Sequence, residues 1–132
     1  MKLKLLAIPL STLFFFGCDS SVLDSRNQIL PDGGKVRVMS INLSHTLGDD
    51  PSKDSMVLTY VSNDYTAGDD KLLAEAWKVF PLIKSTCELW GLKSAQLDCL
   101  PTMSKKGDFK IFYFKQANDG SWSYNLGSGH GF

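Results

Sequence analysis

Few side chains in this chain are able to do chemistry: His45 beside Ser44, His130 in a glycine-rich end, acids at Asp49, Asp50 and Asp54 and again at Asp64, Asp69 and Asp70, and the thiols of Cys18, Cys87 and Cys99. A serine and a histidine adjacent in sequence project in different directions, so Ser44-His45 reads as polar loop rather than nucleophile and base. His130 has no rigid support in its Gly-rich surroundings and is a poor general base. A calcium loop of the EF-hand type needs oxygens at alternate positions, then a glycine, then a glutamate. Around Asp49, Asp50 and Asp54 the glycine precedes the acids and the glutamate is missing. Asp64, Asp69 and Asp70 suit a turn and a helix start. No phosphate-cradling loop, G-x-S-x-G elbow or H-E-x-x-H pair occurs. The expectation is therefore no enzyme, with no catalytic residue, no cofactor and no metal site.

Cys87 and Cys99 pose a sharper question. Cys87 falls four residues before the end of an expected helix, about 6 Å along its axis. Cys99 falls about eight residues beyond that end, about 26 Å if extended. A disulfide tolerates a Cα separation of only ~7 Å. Geometry thus favours two buried thiols, whereas export to an oxidising compartment would favour a Cys87–Cys99 bond. Both alternatives stand at this point.

The elements that must position these groups follow from periodicity. KVRVMSINL (35–43) reads as a strand whose apolar phase shifts between Val38 and Met39, the mark of a bulge. SMVLTYVSN (55–63) is apolar on both faces, as inside a sheet. In DDKLLAEAWKVFPLIKSTCELWG (69–91), Leu72, Ala76, Phe80, Ile83, Cys87 and Trp90 draw one helical stripe, with Pro81 expected to kink it. LKSAQLDCL alternates as a strand, and FKIFYFK and SWSYN flank the turn Asn118-Asp119-Gly120 as a hairpin. The expected fold class is α+β: a single sheet of about five strands in the order β-β-α-β-β-β, with one long kinked helix on one face. Trp77, Phe80, Trp90, Phe112, Phe114 and Trp122 are the aromatic candidates for its core.

The chain of 132 residues is one domain's worth of sequence, and its 14 basic residues are balanced by 14 acidic ones. Without clustered cations, nucleic acid is a poor partner.

The N-terminus carries a different signal. Met1-Lys2-Leu3-Lys4 is cationic, Leu5 to Phe16 is apolar apart from Ser11 and Thr12, and Gly17-Cys18 follows. The apolar run is too short to span a bilayer and has the length of a signal-peptide core. A cysteine directly after that small residue resembles the lipobox of bacterial lipoproteins. Phe15 and Phe16 depart from the pattern, which usually has Leu before a small residue. The resemblance implies cleavage after Gly17, acylation of Cys18, and lipid anchoring at the cell membrane on the periplasmic or external face. Asp19 implies inner-membrane retention in enteric bacteria.

The expected organisation is a signal peptide at 1–17, a lipidated cysteine and flexible tether at 18–34, a domain at 35–126 and a loose tail at 127–132. Tyr113, Trp122 and Tyr124 are candidates for a partner surface on the terminal hairpin. The functional expectation is a non-catalytic, membrane-anchored envelope interaction domain of inhibitor, immunity or accessory type, binding another envelope protein. The alternative is a small-ligand or cell-wall glycan module with weak hydrolase activity.

Overall fold

The computed structural model describes residues 26–131, apart from 46, 47, 49, 51, 52 and 105. The leader, Cys18 and Asp49 lie outside the described residues. Among the described residues six strands form one sheet: β1 Arg26–Ile29, β2 Lys35–Ser44, β3 Ser55–Val61, β4 Ser94–Leu100, β5 Gly107–Gln116 and β6 Trp122–Gly131. Between β3 and β4 run two helices, α1 Asp69–Val79 and α2 Pro81–Trp90. The strands sit side by side in chain order, and every neighbouring pair is antiparallel except β3–β4, which is parallel. A parallel pair cannot be joined by a tight turn, and the helical pair supplies the crossover.

This corrects the expected α+β arrangement of about five strands and one long kinked helix, in the order β-β-α-β-β-β. The order is β-β-β-α-α-β-β-β. Pro81 does more than kink the helix. Having no backbone N–H, it cannot continue the bonding of α1, and it becomes the first residue of a new helix, where that donor would be unpaired anyway. Phe80 keeps helical dihedrals and joins the two helices: its N–H donates to Ala76 O at 2.8 Å, and its own carbonyl accepts from Ile83 and Lys84.

The sixth strand comes from the segment expected as tether. Arg26 to Ile29 is short and mostly polar, and it pairs with β2 through the turn at Pro31-Asp32-Gly33-Gly34. Leu30 N–H donates to Gly34 O at 2.7 Å, and Asp32 Oδ1 accepts from Gly34 N–H at 2.9 Å. The segment expected as a loose tail likewise continues β6 to Gly131. The phase shift in β2 is a bulge, with the register slipping between Val38 and Ser40.

The helices cover one face of the sheet. Val36, Val38, Met56, Leu58, Tyr60, Ala95, Leu97, Cys99, Phe112 and Phe114 meet Leu72, Ala76, Val79, Phe80, Ile83 and Cys87 in the main core. On the other face a smaller cluster of Leu100, Phe109 and Ile111 packs with Met39. Of the expected core aromatics, Phe80, Phe112 and Phe114 are buried, whereas Trp77 and Trp90 are exposed.

Candidate functional site

Three groupings on this frame are candidates for function: a buried polar chain beneath α1, a shallow groove at Tyr113, and an aromatic ledge along β6.

The polar chain begins at Cys99, whose thiol donates to Tyr60 Oη at 3.1 Å. The tyrosine hydroxyl bonds in turn to the Glu75 carboxylate. Ser62 Oγ donates to Glu75 Oε1 at 2.5 Å, and Asn63 N–H donates to Oε2 at 2.9 Å. Glu75 is 5% exposed, and its burial raises the carboxyl above the ordinary glutamate range, against the lowering effect of these donors. Burial also pushes the Cys99 thiol up to about 12 and the Cys87 thiol up to about 11. A thiol attacks as its thiolate, so both are inert at neutral pH. Both cysteines are buried and free, with no bond between them. Each member of the chain is satisfied by another, so its role is to fix β3 to α1 and β4.

The sequence candidates fall in scattered places. Ser44 ends β2, opposite Ser55. His45 Nδ1 and Asp54 Oδ2 lie 2.8 Å apart and hold together the ends of the β2–β3 loop. His130 sits at the far end of β6, 2.8 Å from Asp108 Oδ1. Asp69 pairs with Lys110 Nζ at 2.6 Å. Among the described residues no group of three or more His, Cys, Asp or Glu side chains converges as metal ligands would.

Tyr113, Trp122 and Tyr124 do not share a face. Strand alternation sends Phe112 and Phe114 toward the helices and Tyr113 away from them. Opposite them, Tyr124 pairs with Phe114 and Leu126 with Phe112, so the even-numbered side chains of β6 lie on the helix side. Tyr113 lies on the other face over Gly127, where an added Cβ would stand 2.9 Å from its ring. There it borders a cavity of about 250 Å³ whose lining includes Ser55, Ser94, Gln96, Lys115 and Asn125, and no carboxylate.

On the helix side the rings form a continuous stack. Phe80 stacks on Phe114 at 4.2 Å with planes 8° apart. Trp77 meets Phe114 edge-on at 4.9 Å, and Trp122 meets Phe80 edge-on at 5.0 Å. Tyr124 closes against Trp77 at 6.3 Å. Trp122 is half-buried, and its indole N–H donates to Glu88 Oε2 at 2.9 Å. That bond, with Lys84 behind it, holds the Glu88 carboxyl below its usual range. At the outer rim Trp77, Tyr124 and Leu126 remain 38%, 39% and 41% exposed.

This rim borders the β6 edge of the sheet, beyond which no further strand lies among the described residues. The β5–β6 turn closes with Gly120 N–H donating to Ala117 O and Ala117 N–H donating to Ser121 O, and Gly120 takes φ +89°. Such a turn is a three-residue hairpin loop with a glycine bulge. Ala117 therefore directs its backbone groups to β6, and Gln116 directs its N–H the other way, to Lys93 O at 2.9 Å. Continuing the alternation, Trp122, Tyr124, Leu126, Ser128 and His130 direct their N–H and C=O groups outward. Between residues 122 and 131 there is no lysine, acid or proline to blunt that edge. Burial patterns in the sequence do not show which strand ends the sheet, so the ledge was legible only as a count of rings.

No family model, curated protein or solved structure matches the chain.

Proposed function

We propose that this chain is a lipid-anchored envelope protein acting as a non-catalytic interaction domain, with β6 and its ring ledge as the face that takes an extended segment of another envelope protein. The observation that carries the reading is the ten-residue edge β6, uncharged apart from His130, beside the exposed faces of Trp77, Tyr124 and Leu126. Strand addition draws affinity from backbone hydrogen bonds and specificity from side chains at alternate positions. Here five residues offer outward backbone groups, while the side chains of Trp122, Tyr124 and Leu126 with Trp77 form an apolar floor along the first half of the strand. The anchor rests on the lipobox-like Gly17-Cys18, which confines the domain to the membrane surface and raises its local concentration toward a neighbour.

The test is a photo-crosslinking residue at exposed Ser128 in the acylated protein, followed by recovery of adducts from the envelope. A discrete adduct that disappears in Leu126→Lys supports the reading, since an edge lysine resists a further strand. Exposed Leu126 tolerates that change within about 0.5 kcal/mol, so folding is preserved. No discrete adduct, or one indifferent to Leu126→Lys, removes it. The cavity at Tyr113 supports a small-ligand reading less well, because its volume falls below the roughly 300 Å³ at which ligand pockets begin.

A further inference from the structure

The end of α2 presents an apolar tip that nothing among the described residues covers. Leu89 is 82% exposed and Trp90 52% exposed. The tip is held rigidly: Gly91 takes φ +74°, Leu92 N–H donates back to Cys87 O at 2.8 Å, and Leu92 itself is buried. A helix end closed in this way fixes where the two side chains stand.

Their position relative to the chain's entry into the sheet gives them a partner. Gly91, Leu92 and Lys93 alone separate Trp90 from Ser94, the first residue of β4. In register, Ser94 lies beside Ser55 and Lys115, and Ser55 lies opposite Ser44. The tip therefore stands at the end of the sheet where β2 finishes and β3 and β4 begin. Strand β1 is antiparallel to β2, with Arg26 opposite Val38 and Ile29 opposite Lys35. The polypeptide thus enters β1 travelling away from the tip end. Val38 and Ser44 are six residues apart, or about 20 Å along the strand. Cys18 precedes Arg26 by eight residues, a reach of at most about 29 Å. A lipid on Cys18 can be drawn past the tip end by roughly 10 Å, in the direction from which the chain arrives.

We propose that Leu89 and Trp90 insert into the surface of the bilayer that holds the anchor, so that the domain stands on its α2 tip with the strands upright. This rests on the lipid anchor proposed above. An indole ring and an aliphatic neighbour suit the boundary between headgroups and acyl chains. Lys93 and Lys115 are both exposed at this end, so their ammonium groups reach lipid phosphates while their stems follow the apolar tip. Among the described residues the acids at this end have partners of their own: Glu88 pairs with Lys84 at 3.0 Å, Asp54 of the β2–β3 loop pairs with His45 at 2.8 Å, Asp119 accepts from Ser121, and Asp50 is likewise engaged. In this pose β6 runs up from the membrane with its edge facing sideways, accessible to a neighbour.

The experiment uses native acylated protein in phosphatidylethanolamine–phosphatidylglycerol vesicles carrying bromine on the acyl chains, which quenches only indoles that reach them. Mass spectrometry of the same material first establishes the acyl adduct on Cys18. The expected result is quenching of part of the tryptophan emission in the parent protein, its loss in Trp90→Phe, and its reduction in Leu89→Asp. Both positions are exposed, and circular dichroism confirms that the variants fold. Acylated protein without quenching, or with quenching that survives Trp90→Phe, overturns the orientation alone. A native mass without the adduct overturns the anchor and the orientation together.

Discussion

Replacing Gly129 by alanine tests how β6 is held in the sheet. Gly129 lies opposite Phe109, and a Cβ there would stand 2.5 Å from Phe109 Cζ and 3.1 Å from Ile111 Cδ1. Carbon atoms rest at about 3.5–4.0 Å, so the ring must retreat by about 1 Å. Phe109 cannot do so freely, since it is 7% exposed and packed with Leu100 and Ile111. Overpacking of this kind costs about 1–3 kcal/mol, whereas removing a glycine from the unfolded chain stabilises by about 0.4–1 kcal/mol. The clash prevails, and the net loss is about 1–2 kcal/mol. The assay is urea unfolding at constant m, where the midpoint falls. The thermal midpoint falls by roughly 4–8 °C per kcal/mol for a domain of this size. Adding Phe109→Leu opens space for the methyl, so the double variant should lose less than the two single losses added together, by at least about 0.5 kcal/mol. A Gly129→Ala protein as stable as the parent, or strictly additive losses, would refute the close approach of ring and glycine.

Two further outcomes follow from the buried chain. The folded-state carboxyl of Glu75 is raised, so its protonation favours the fold; that contribution is complete below the ordinary glutamate range and is lost as pH rises through the folded value. Glu75→Gln, whose amide keeps an acceptor for Asn63 N–H, should therefore gain stability relative to the parent as pH rises through this window, and urea melts showing a difference flat with pH would contradict it. Cys87 and Cys99, buried and with raised thiols, should stay unreactive toward a disulfide reagent at pH 8 in the native protein and react fully in denaturant; rapid native reaction would contradict their placement.

Much of the framework was legible because periodicity reports burial. The helical stripe from Leu72 to Cys87 is buried as its spacing requires, and the slip after Val38 marked a true bulge. What was missed has local causes. Arg26 to Ile29 carries no apolar alternation, since an edge strand four residues long is held by its ladder and by the Leu30–Gly34 turn. Gly127 and Gly129 looked like slack chain, yet each leaves space for a ring from β5. Trp90 continues the stripe in sequence, but α2 ends just there and the ring is left exposed. The candidate partner residues were separated by strand parity once the hairpin register was known: Tyr113 went to one face, and Trp122 and Tyr124 to the other.

Because spatial order in the sheet repeats order along the backbone, each new segment finds its docking site already made by the one before it. Nothing has to be threaded between strands already in place, and only the step from β3 to β4 waits for a long excursion to close. The described strands can thus assemble by accretion, from β1 outward. Of these strands β6 comes last, so the proposed binding face is completed only after the other five are in place.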